Sequence, residues 1–174
     1  MLTRKNNFMK FLMSYVAAIL SAVQRLSSSE DYLLNMDSYT KEIKKIILNE
    51  EVSWNKGDAK AYSLNFAENG LFTNVFGASF MGYSAFLARH DKLFNGVFKG
   101  SIMKQEITSL EMIAKNVAIV ETISQISEFS DNNHLAGIYI DENGFIKTRL
   151  LQVMRKEKKS WKIVAYHNVD IKKG

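Results

Sequence analysis

The chain has 174 residues, 47% of them hydrophobic and 24% charged, a balance ordinary for a globular domain with enough length to bury a core. It has no cysteine, which excludes disulfides and thiolate metal sites, and no proline, so its turns must rest on Gly, Asn, Asp and Ser. The net charge of +5 does not point to nucleic acid: residues 1–29 carry Arg4, Lys5, Lys10 and Arg25 and no acid, which leaves +1 for the rest.

Residues 1–29 join a basic start, an apolar run of 13 residues from Phe11 to Val23, and a polar stretch ending at Ser29. This pattern reads as a signal peptide, with Ser27 and Ser29 as the small-residue pair before cleavage. It also reads as a retained amphipathic helix, with Ser14, Ala17, Ser21 and Gln24 opposite Phe11, Tyr15, Ile19 and Val23. Export to a periplasmic or extracellular space is preferred over retention in the cytoplasm. The apolar run is too short for a stable membrane span. Residues 1–38 are therefore read as an N-terminal segment with a polar connector, and residues 39–174 as one domain.

The spacing of Ile43, Ile46, Ile47 and Trp54 predicts a helix over Tyr39–Asn55, stopped at Gly57. Asp58 is placed to cap a second helix, "AKAYSLNFA", by accepting its free backbone N–H groups. "LFTNVFG" predicts a short strand with Phe72, Asn74 and Phe76 on one face, turning at Gly77 and returning to Gly82. A third helix follows, with Ser84 as its cap and Phe86, His90, Leu93 and Val97 on one stripe. Long strand patterns then run over Ile102–Ile113, Val117–Phe129, Ile146–Lys156 and Trp161–Ile171. The turn at Ala114–Asn116 and the basic tip at Arg155–Lys159 link them as hairpins. Ser130–Gly144 is a loop holding a small "IYI-DENG-FIK" hairpin. Three helices followed by long antiparallel strands predict an α+β fold: a strongly curved sheet with the helices on its concave side, enclosing a pocket.

The runs "WNKGDA", "VFG" with Gly82 before the third helix, the His of that helix, "KGS" after it, and the closing "WKIVAYHN" carry a family resemblance. From about Ile43 to Ile171 the chain resembles the SgcJ/EcaC group of the SnoaL-like, nuclear transport factor 2-like superfamily. The resemblance implies a cone-shaped fold with a pocket between helices and sheet, and a homodimer across the outer sheet face. It implies no cofactor, and the sequence holds no G-x-G-x-x-G dinucleotide turn. In ketosteroid isomerases of this superfamily the position similar to Asn74 is a general-base Asp; an amide accepts no proton at neutral pH. In limonene epoxide hydrolases the similar positions hold Tyr-x-Asn, Arg-x-Asp and Asp, where this chain has Phe72 and Asn74, Thr122 and Ser124, and Asn168. Only the Asn is kept, so neither mechanism transfers.

An uncharged pocket is thus expected. Asn74, Thr122, Ser124 and Asn168 supply its hydrogen bonds and Trp54, Tyr62, Phe66, Phe72, Phe76 and Tyr166 its apolar walls. His90 is the one candidate general base, with an ordinary pKa suited to proton transfer. A lone His on an apolar helix face is more often a core residue bonded to a neighbour, and a base needs an orienting partner. Strand alternation turns Glu121 to the outer face, with Arg149 as its candidate partner. A slip of one residue would bring Glu121 inside. His134 and His167 lie apart from His90, so no metal site is expected. These observations predict a domain that binds a small hydrophobic molecule. The alternatives are an isomerase, cyclase or hydrolase using His90, and a homo-oligomeric assembly domain resembling the association domain of calcium/calmodulin-dependent kinases.

Overall fold

The computed structural model describes residues 20, 21, 24, 35–130, 135 and 137–172. The expected signal peptide or amphipathic helix over 1–29 lies outside these residues except at three positions, and His134 lies outside them too. The chain divides into two compact units at Tyr39/Thr40, and the elements below are those of the second.

Helix α1 (residues 35–55) enters this unit at residue 40, and α2 (Ala59–Ser63) follows after a turn closed by Gly57 N–H donating to Trp54 C=O at 2.8 Å. Asp58 caps α2 as expected, its side chain accepting from Ala61 N–H at 2.9 Å. Next come β1 (Phe66–Thr73), β2 (Ser79–Met81), α3 (Tyr83–Asn95), β3 (Ile102–Ala114), β4 (Val117–Ser127), β5 (Ile146–Glu157) and β6 (Ser160–Asp170). The strands form one six-stranded sheet in the order β2-β1-β6-β5-β4-β3. All neighbours are antiparallel except β1 and β6, which run parallel. The fold is α+β, a curved, mostly antiparallel sheet with three helices. Bulges at Ile107/Ser109, Met112/Ala114 and Val153/Met154 add to its curvature.

Three differences from the expected elements have a clear local cause. The second helix stops at Ser63 instead of reaching Ala67. Asn65 accepts from Ile163 N–H through its carbonyl and donates its side-chain amide to Trp161 C=O, which draws Phe66 into the sheet beside β6. The first strand ends at Thr73, because Asn74 folds the chain back on itself. Ser84 is not the cap of α3. Gly82 holds that position with φ +91°, and a Cβ there would lie 3.0 Å from Glu68 C=O.

Alternation along the long strands separates two faces. On β4, Ala118, Val120, Thr122, Ser124 and Ile126 are buried; on β5, Ile146, Thr148, Leu150, Gln152 and Met154 are. These face the helices. Phe66 and Phe86 stack with centroids 4.0 Å apart and join β1 to α3. Gly70 leaves room for that stack, since a Cβ on it would meet the Phe66 ring at 2.8 Å. On the opposite face Glu121 pairs with Arg149, the partner expected from register, and also accepts from Thr108 Oγ1.

Candidate ligand cavity

Between α3, the end of α1 and the inner faces of β4–β6 lies a cavity of about 110 Å3. That is close to the ~150 Å3 of engineered apolar cavities that admit benzene. Its walls are mostly apolar: Trp54, Phe72, Leu93, Val97, Phe98, Met103, Ile126 and Ile146. Phe76, 54% exposed, stands at one side with Gly137 beneath it; a Cβ on that glycine would lie 3.7 Å from the Phe76 ring.

The polar groups are few and placed by rigid elements. Tyr62 from α2 and Tyr166 from β6 share a hydrogen bond between hydroxyls at 2.7 Å. Burial pushes both phenols well above their usual range. His90 lies among Tyr62, Phe72, Phe86 and Phe94, with the Tyr62 ring 4.6 Å and the Phe86 ring 4.2 Å away between centroids. Its Nδ1 is 2.8 Å from Phe86 C=O. A carbonyl only accepts, so Nδ1 carries the proton and Nε2 of the neutral ring keeps its lone pair. Burial lowers the His90 pKa to about 4, and the nearby Arg89 cation adds to this against the pull of the Phe86 carbonyl. At neutral pH His90 is an uncharged acceptor.

Asn74 is spent in part on the backbone. Its Oδ1 accepts from Phe76 N–H at 2.9 Å and Ala78 N–H at 3.0 Å, so it pins the turn between β1 and β2 and leaves only Nδ2 to donate. Asn168 on β6 is the reverse case: its Oδ1 is buried beside the cavity with no hydrogen bond. Arg89, next to His90 on α3, also lines the cavity, and its Nε is buried without a partner. Ser124 and Thr148 add hydroxyls from β4 and β5. Among the described residues no carboxylate lines the cavity.

Behind the tyrosines lies a second polar cluster. Glu50 of α1 is fully buried, and Gln152 Nε2 donates to both its carboxyl oxygens, at 3.1 and 2.9 Å. Burial pushes the Glu50 carboxyl up to about 8, against the opposing bonds from Gln152 and Gln105. At neutral pH it is therefore mostly protonated. Gln105 Oε1 and Gln152 Oε1 are buried and accept nothing, and the Glu50 proton gives this cluster one more donor.

The structure brings most of the expected site residues to one place. Trp54, Tyr62, Phe72, Asn74, Phe76, His90, Ser124, Tyr166 and Asn168 all line the cavity. Two do not. Phe66 is sealed under Phe86 in the core. Thr122 faces inward, but it is fully buried and accepts from Gln105 Nε2 at 3.0 Å. The expectation of an uncharged lining is corrected by Arg89. Sequence reading passed over both Arg89 and Glu50, although helical spacing holds a signal for each. Glu50 falls on the stripe Ile43, Ile47, Glu50, Trp54, and Arg89 borders the stripe Phe86, His90, Leu93. His167 is exposed on the outer face. Among the described residues no three His, Asp or Glu side chains gather to hold a metal ion, and no helix is long and apolar enough to cross a membrane.

No protein-family model and no curated protein matches the sequence. Solved structures do match in fold. A nuclear transport factor 2-like protein from Shewanella oneidensis MR-1 is 19% identical with a TM-score of 0.61, covering 75% of this chain and 98% of that one. A ketosteroid isomerase-like protein from Erwinia carotovora atroseptica is 16% identical with a TM-score of 0.61, covering 76% and 96%. A hexachlorocyclohexane dehydrochlorinase of type 2 is 9% identical with a TM-score of 0.66, covering 80% and 89%. At such identities the likeness shows the nuclear transport factor 2-like fold and leaves function to the site.

Proposed function

We propose that this domain binds a small, mainly apolar molecule of about one ring in the α3–sheet cavity, and that it is an SgcJ/EcaC-type member of the SnoaL-like superfamily. The observation that carries the reading is the buried, unpartnered Asn168 Oδ1 beside an aromatic-walled cavity. Unlike the unpartnered amide oxygens of Gln105 and Gln152, it belongs to a residue of the cavity wall, where a ligand can supply the missing bond. His90 Nε2 supports this as a second free acceptor. Ligand-observed NMR with a panel of single-ring compounds tests the reading, with Leu93→Trp as a variant that fills the cavity. Selective binding to the wild type is expected. Equal signals from both proteins, or none at millimolar ligand, would sink the idea.

A catalytic version is favoured by one feature, the His90 lone pair fixed by the Phe86 carbonyl. One similar structure is a dehydrochlorinase and another ketosteroid isomerase-like, and for this chain they support proton abstraction as the alternative chemistry. Against it stands a pKa of about 4, which makes His90 a weak base at neutral pH. The binding reading is therefore preferred.

We propose further that two copies pair across the outer sheet face. Leu71, Met81, Leu151 and Val169 are exposed there, around the Glu121–Arg149 pair.

A further inference from the structure

We infer that the ligand of this cavity is a hydroxylated single-ring carboxylic acid, its carboxylate held by Arg89 and its hydroxyl donating to Asn168 or His90. The inference rests on the binding reading above and names the ligand class.

Arg89 carries the argument. Its guanidinium makes no hydrogen bond or ion pair with any described residue, its Nε is buried, and no described carboxylate shares the cavity. A guanidinium offers its N–H groups as a fork, and a carboxylate fills that fork with two parallel bonds while cancelling the charge. A neutral carbonyl would fill half the fork and cancel nothing. Asn168 Oδ1 adds the second requirement. It accepts only, as does His90 Nε2 in the neutral ring, so the ligand must bring a donor. Size and walls set the third. A cavity of about 110 Å3 lined by Phe72, Phe98, Leu93 and Ile126 has room for one ring.

The approach matches the same charge. Arg89 also borders an outer groove with Lys92, Asn95, Val97 and Ser130, so one cation faces both the cavity and its surroundings. A positive rim draws anions and raises their encounter rate at low salt.

The test is calorimetric titration of the full chain at neutral pH with four probes: para-hydroxybenzoate, benzoate, phenol and toluene. Para-hydroxybenzoate is expected to bind tightest and benzoate next. Arg89→Gln is expected to weaken both acids by about tenfold or more, the scale of a lost charged hydrogen bond, and to leave toluene almost unchanged. Circular dichroism and the urea midpoint of Arg89→Gln establish that the variant is folded, and Arg89→Lys should recover part of the acid affinity. Toluene and phenol binding while the acids do not would overturn the inference and leave the binding reading intact. So would acid binding that Arg89→Gln does not alter. Failure of all four probes would overturn both.

Discussion

Two buried groups with opposite shifts give the protein a stability profile that can be worked out from the structure. Glu50 has its carboxyl pushed up to about 8 from an ordinary 4.5, and His90 its imidazole pulled down to about 4 from 6.5. For Glu50 the folded state holds a proton that the unfolded state has lost, so stability falls as pH rises from 4.5 and the loss is complete above 8. For His90 the unfolded state holds the extra proton, so stability rises as pH climbs from 4 to 6.5. At 1.36 kcal/mol per pKa unit the Glu50 effect is roughly 5 kcal/mol and the His90 effect roughly 3. The two slopes cancel between pH 4.5 and 6.5, and above that Glu50 acts alone, for a further loss of about 2 kcal/mol by pH 8. Urea unfolding followed by tryptophan fluorescence, from about pH 4 to about pH 9 at fixed salt, reads this directly. Glu50→Gln should abolish the decline above pH 6.5 and expose the rise below it. His90→Gln should expose the full Glu50 decline from pH 4.5 upward. Differences between variant and wild-type curves cancel every other titration. A decline above pH 6.5 that survives Glu50→Gln would refute the reasoning.

Three other outcomes follow from the geometry. Tyr62→Phe removes one end of a buried 2.7 Å hydroxyl pair and should cost about 1–2 kcal/mol in urea unfolding; adding Tyr166→Phe should cost clearly less than the sum of the two singles. Asn74→Ala should destabilise the domain by about 1–3 kcal/mol by freeing two turn N–H groups, whereas Asn74→Asp keeps the acceptor and should retain most of that stability; equal losses in both variants would contradict the role given to Oδ1. Leu151→Glu, on the exposed outer face, should turn a dimer into a monomer by light scattering without lowering ligand affinity in the cavity. A mass that Leu151→Glu leaves unchanged would remove the proposed pairing.

The sequence was most legible where one residue type obeys one period. Alternation on β4 placed Thr122 and Ser124 inward and Glu121 outward, and the Glu121–Arg149 contact follows from that register. Asp58 declared its cap by position alone. Phe66 was misplaced because local propensity extends α2, while a tertiary contact, Asn65 to β6, decides against it. Arg89 and Glu50 were missed for a common reason. A charged residue on an apolar stripe reads as an interruption until the opposite wall is known, and that wall comes from strands far along the chain, such as Gln152 for Glu50 with a separation of 102.

The parallel pairing of β1 with β6 has a consequence for how the molecule comes into being. β6 lies between β1 and β5, so the β2–β1 hairpin has no edge to join until residues through Asp170 have been made. Synthesis runs from the N-terminus, and in the interval the emerging hairpin and the β3–β5 meander are separate fragments, each with an open strand edge. Closing them spans nearly the whole domain in sequence, which makes it a slow, late event. Tyr166 and Asn168 ride on that final strand. The cavity therefore has no floor until the sheet is complete, and a ligand can enter only a chain that has already committed to its fold.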